Sequence, residues 1–212
     1  KEILRVANQY ARLEKDALIA GFSTKRNIET AIGKFGIGLP AALSTFARLK
    51  MTCEVFTHDQ IWRPSLVNDK EFNNAELTRI NVRNRRASRN IDFDGVEIFV
   101  SPITPAQWEE CKKRFLFLYE HSRIETSHGA ILTDTNQAGK IYTKGIFVQD
   151  VEGYSFGFDL LNIDIDMERK LTDTWAMEYE IGKVLREAFT NNPEKMLDTV
   201  WGKILSGSKE VA

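Results

Sequence analysis

The first stretch of the chain, KEILRVANQYARLEKDALI, spaces Ile3, Ala7, Tyr10 and Ala11 at three- and four-residue steps, which predicts an amphipathic helix over 2–19. A polar run, GFSTKRNIET, comes next, and then the glycine-rich run AIGKFGIG. LPAALSTFARLK predicts a second helix over 39–50, with Pro40 in the first turn, where a missing N–H costs nothing. From there the period shortens to two. KMTCEVFTH and TRINVRN read as strands, IWRPSLV as a weaker one, and GVEIFV sets Val96, Ile98 and Val100 on one face.

Thr104 opens a further helix: TPAQ is a capping box with proline at the first helical position, and WEECKKRFLFLYEH continues it. A boundary is expected near residue 120, giving domains 1–120 and 121–212. In the second, KIYTKGIFVQ and YSFGFDLLNI read as two strands joined by the turn DVEG, with Tyr154, Phe156 and Phe158 alternating. A helix from Thr172 to about Phe189 and a short one from Asn192-Pro193 complete a mixed α+β reading, two layers in each half.

Composition narrows this picture only slightly. Basic and acidic residues nearly cancel, 29 against 30, so a surface that grips nucleic acid everywhere is not expected. Cys53 and Cys111 have no paired spacing and suit buried thiols in a reducing, cytoplasmic compartment. No apolar run is long enough to span a membrane. Five arginines within eleven residues, Arg79, Arg83, Arg85, Arg86 and Arg89, would suit the backbone of DNA, although a solvated hairpin is the simpler reading.

The chemistry concentrates in Gly33-Lys34-Phe35-Gly36-Ile37-Gly38. Glycines directly before a helix expose backbone N–H groups and the positive end of the helix dipole, an arrangement that holds phosphate. The run is neither a P-loop, which needs GxxxxGK[ST], nor a dinucleotide fingerprint, which needs GxGxxG after a strand. Alone it would read as a tight turn.

Taken with the upstream GFSTKR, the stretch GFSTKRNIETAIGKFGIGLPAALSTF resembles the lid and second glycine box of GHKL (Bergerat-fold) ATPases, the superfamily of gyrase, MutL and histidine kinases. The flavour is that of MutL, MORC and heat-shock-chaperone sequences, and the element order also resembles phage rapid-lysis A-type proteins. The resemblance implies a partial Bergerat α/β sandwich followed by a smaller, transducer-like α/β domain. It implies ATP and Mg2+ as ligands, slow hydrolysis, and coupling of nucleotide state to domain closure or homodimerisation, with DNA transactions as one setting. Carried over, Gly33, Lys34, Phe35, Gly36, Ile37 and Gly38 would contact the triphosphate, with Ser23, Thr24 and Lys25 on its oxygens. Lys144 and Arg169 are the candidates for a second-domain cation on the γ-phosphate.

The pattern also departs from the family's. Neither the E-x-x-x-N pair that activates water and binds magnesium nor the DxGxG box that holds adenine is found. KEILRVANQYARLEKDA looks like the stretch on the C-terminal side of such a box, so those residues are expected upstream of this chain. The Gly-Thr pair of many relatives, whose threonine touches the adenine region, is Gly95-Val96 here. The alternative is a non-enzymatic scaffold or protein-binding module with a degenerate nucleotide site. His58, His121 and His128 lack metal-ligand spacing. The acidic run Asp159, Asp164, Asp166 and Glu168 is explained more simply by strand alternation than by magnesium.

Overall fold

A computed structural model describes residues 2–24, 36–84, 93–163, 165–166, 171 and 173–204. They gather into two compact units, 1–107 and 108–212. The division falls inside helix α2 (Pro105–Lys112), where the sequence reading set it near residue 120.

In the first unit the N-terminal segment corrects its predicted helix. Residues Glu2–Gln9 form strand β1, and the helical turn that remains is a short 3-10 segment at Lys15–Leu18. Helix α1 (Gly38–Arg48) comes next, and then β2 (Thr52–Thr57), β3 (Gln60–Asp69), β4 (Ala75–Asn84) and β5 (Gly95–Ile103). They form one antiparallel sheet in the order β1-β5-β2-β3-β4. The helical spacing in β1 loses to non-local hydrogen bonding. Leu4, Val6 and Asn8 pair with Val100, Ile98 and Val96, so the alternation that matters is that of the strand. Gly95 permits the close approach, since a Cβ there would collide with the Asn8 carbonyl.

One face of this sheet carries the core. Cys53 and Val55 of β2, Trp62 of β3, and Val96 and Val100 of β5 are buried together with Leu43 of α1. Phe46 and Leu39 of α1 and Leu13 and Leu18 of the N-terminal segment pack against them. Val96, Ile98 and Val100 therefore share a face, as the alternation predicts. Trp62 is fully buried, and its indole N–H donates to Gln60 at 2.9 Å, which satisfies the one polar atom that burial would otherwise strand.

The capping box at the end of this unit forms as predicted. Gln107 N–H donates to Thr104 Oγ1 at 3.2 Å, and Thr104 N–H donates to Gln107 Oε1 at 2.9 Å. The predicted continuation of α2 through His121 does not form: the helix stops at Lys112, and Leu116–Leu118 make a 3-10 turn.

The second unit holds β6 (Arg123–Thr126), β7 (Gly129–Leu132), β8 (Lys140–Thr143), β9 (Ile146–Asp150) and β10 (Gly157–Leu160), in the order β6-β7-β10-β8-β9. The predicted pair of strands is corrected in two respects. KIYTKGIFVQ is a hairpin by itself, turning at Lys144 and Gly145, both at positive φ. YSFGFDLLNI contributes β10, which pairs antiparallel with β7 and parallel with β8, not with β9. Helix α3 (Thr174–Asn191) is capped by Asp173, whose carboxylate accepts from Trp175 N–H at 2.8 Å, and α4 (Pro193–Ile204) begins where its proline predicts. Met177, Ile181, Val184 and Ala188 of α3 pack on Ile131, Ile141, Phe156, Phe158 and Leu160, with Tyr154 at the margin.

Candidate functional site

The glycine run enters the described structure at Gly36. Its φ is +66°, a left-handed backbone that side chains other than glycine resist, and a Cβ there would run into the backbone of Phe22. The N–H of Gly21 donates to the Gly36 carbonyl at 3.3 Å. Gly36 is thus required by packing: the GFST segment and the glycine run lie against each other through their main chains.

Gly38 differs. It is the first residue of α1, exposed, and nothing lies within 4 Å of the place its Cβ would take. Ile37 occupies the N-cap position in a helical backbone conformation and supplies no side-chain hydrogen bond. Pro40 has no N–H to offer. The first-turn N–H groups of Gly38 and Leu39 are therefore not covered by a capping side chain, and the dipole of an 11-residue helix stands behind them. Ser23 is half-buried and has interactions of its own, and Thr24 is exposed. Lys25, Gly33, Lys34, Phe35 and Arg169 lie outside the described residues, as do Arg85, Arg86 and Arg89.

Beside this region, β1 runs along β5 so that Asn8 faces Val96 and Gln9 faces Gly95. The end of β1 thus adjoins the Gly95-Val96 pair. The sequence there, Ala7-Asn8-Gln9-Tyr10-Ala11-Arg12, contains neither aspartate nor glycine. Tyr10 nevertheless takes φ +60°, and its N–H donates to the Asp94 carbonyl at 2.8 Å.

Lys144 belongs to the second unit. It is half-buried, at φ +52° in the β8–β9 turn, and is engaged by neighbours. The turn is held at two points by β10. The buried carboxylate of Asp159 on β10 accepts from Gly145 N–H at 2.8 Å, and Thr143 Oγ1 donates to the Leu160 carbonyl at 2.9 Å. Burial pushes the Asp159 carboxyl up from its ordinary range, against the Gly145 hydrogen bond and Arg123 at 3.9 Å, which act the other way. Strand alternation does not account for the acidic run as expected. β10 ends at Leu160, so Asp159 is in the strand, Asp166 lies beyond it, and Asp164 and Glu168 are outside the described residues. Among the described residues no group of three His, Cys, Asp or Glu is placed to hold a metal ion.

One further feature escaped the sequence reading. On α3, Trp175 and Tyr179 stack with ring centroids 5.8 Å apart, and Lys183 Nζ lies 4.6 Å over the Tyr179 ring. They lead into a depression of about 410 Å3 lined by His128, Arg186, Glu187 and Asn191 among others. On β4, Arg79, Asn81 and Arg83 lie on the sheet face opposite the core. The alternation of TRINVRN carries that signal in the sequence.

Among the described residues no helix is long and apolar enough to cross a membrane. Comparison with known protein families finds no matching family model, and no curated protein matches the chain.

Proposed function

We propose that the first unit is an ATP-binding module of the GHKL type, in which nucleotide state is coupled to domain closure or to dimerisation. The observation that carries the reading is the start of α1: an uncapped helix N-terminus with open space at Gly38, directly after a glycine run whose main chain is tied to the GFST segment. Phosphate oxygens would take the N–H groups of the first turn, with Ser23, Thr24 and Lys25 from the lid side. The antiparallel sheet backing a single helix, with β1 against the Gly95-Val96 strand, is compatible with the α/β sandwich the resemblance implies. Hydrolysis would need a glutamate and a magnesium ligand that the E-x-x-x-N spacing does not reveal in this sequence, so the reading gives this chain the triphosphate end of the site.

A second reading, a scaffold with a degenerate nucleotide site, is favoured by the end of β1. Asn8 and Gln9, the β1 residues that pair with Val96 and Gly95, supply no carboxylate for an adenine, and Tyr10 holds a left-handed backbone that a glycine would adopt freely. Calorimetric titration with a non-cleavable ATP analogue, its GTP counterpart and inorganic triphosphate separates the two. Binding of ATP analogue and triphosphate supports the module. Similar affinities for the ATP and GTP analogues would mean that the base is not read. No binding of any of the three would leave the scaffold.

A further inference from the structure

The face of the first unit's sheet that points away from α1 is laid out by the strand pairings as a grid. Its rows are Ala7, Glu97, Phe56, Ile61 and Arg83; then Arg5, Phe99, Glu54, Arg63 and Asn81; then Ser101, Thr52, Ser65 and Arg79. Arg5, Arg63, Arg79, Asn81 and Arg83 are all exposed, so this face is solvated and not covered by a helix layer among the described residues.

The charges on it are unevenly matched. Arg5 pairs with Glu97 at 2.8 Å and Arg63 with Glu54 at 2.5 Å, so the two central carboxylates are each neutralised by a neighbouring strand. Arg79 and Arg83 have no carboxylate partner among the described residues. The face is left with two guanidinium groups on β4 that no described carboxylate answers, on a chain whose overall charge is −1. Four residues along a strand place them about 13 Å apart, in line along the sheet edge. Between them Asn81 is held by Ser65 Oγ and the Arg63 carbonyl, which keeps the row extended. Toward the middle of the face, Phe99 meets Phe56 edge to face with centroids 5.5 Å apart.

We infer that this face is a binding surface for single-stranded nucleic acid, with Arg79 and Arg83 on separate phosphates of one strand and Phe99 offering a ring to an unstacked base. A polyanion laid along β4 meets both guanidinium groups, which can also stack on bases. A flat sheet face has nothing to insert into a duplex groove, whereas splayed bases of a single strand can reach a ring on the open face of the sheet. The inference stands apart from the nucleotide reading, because α1 packs on the opposite face, and either can fail without the other.

The test is fluorescence anisotropy of a labelled oligothymidylate titrated with the full chain at rising salt. Binding is expected to weaken with salt. Arg79→Ala with Arg83→Ala should reduce the slope of log affinity against log salt by about 1.4, that is, about 0.7 for each lost single-strand phosphate contact. Arg79→Lys with Arg83→Lys should keep that slope, and Phe99→Leu should lower affinity at least about fivefold at constant slope. Melting curves of the variants confirm that the sheet is intact. Equal affinity for a duplex of the same length, equal affinity for polyglutamate, or an unchanged slope in the alanine variant would each overturn the proposal.

Discussion

Gly21 and Gly36, fifteen positions apart in the sequence, are joined by a backbone hydrogen bond of 3.3 Å, and Phe22, the neighbour of Gly21, fills the space that a side chain on Gly36 would need. One glycine of the run is therefore spent on packing, and another, Gly38, is left facing open space.

That difference separates two alanine substitutions. Gly36→Ala should destabilise the first unit by at least about 1 kcal/mol, because the residue sits at positive φ and its new methyl meets backbone. Gly38→Ala should leave the thermal midpoint unchanged or slightly raised, since alanine is the better helix former. If phosphate occupies the space in front of α1, Gly38→Ala should nevertheless abolish binding of the ATP analogue. Thermal melts and calorimetric titration of the two variants check this, and unimpaired binding by Gly38→Ala would remove the helix start from the site.

The buried carboxyl of Asp159 gives the second unit a pH signature. Its pKa is raised in the fold, so the stabilisation linked to its protonated form is complete below the unfolded-state value and is lost as pH rises through the folded value. Asp159→Asn keeps an acceptor for Gly145 N–H and removes the desolvated charge. Urea unfolding between about pH 4 and 7 should show the variant gaining stability relative to the parent as pH rises. Asp159→Ala, which leaves that buried N–H without a partner, should cost about 1–3 kcal/mol at any pH in this range.

Trp62 anchors the first core. Trp62→Ala should cost about 3–5 kcal/mol, the range for deleting a large buried aromatic, and Gln60→Ala should cost about 1–3 kcal/mol by stranding the indole N–H. Denaturant unfolding followed by circular dichroism measures both. A loss under about 1 kcal/mol for Trp62→Ala would contradict the packing.

The two thiols should differ in reactivity. Burial pushes the Cys53 thiol up to about 11, and the side chain is inaccessible, whereas Cys111 is half-exposed. A colourimetric thiol reagent at mildly alkaline pH should titrate one equivalent in the native protein and the second only on unfolding. Fast reaction of both would show that the first core opens readily.

Where local signals suffice, the amino-acid order was enough to locate the elements. The capping box at Thr104–Gln107, the proline at the start of α4, the amphipathic α1 and the alternation of Val96, Ile98 and Val100 all act over a few residues, and each stands where it was expected. The glycine run before α1 was legible for the same reason. The separate tasks of Gly36 and Gly38 were not, because the task of Gly36 depends on Phe22 from a distant segment. Tertiary structure alone decided β1, whose helical spacing yields to a ladder with β5, more than eighty residues away. It also decided the β8–β9 turn and the parallel pairing of β10 with β8. A strand's hydrogen bonds are made to another strand and not to its own neighbours, so the pattern of one segment cannot reveal them. For the same reason, only the pairing of β1, β5, β2, β3 and β4 assembles Arg79, Arg83 and Phe99 on one surface.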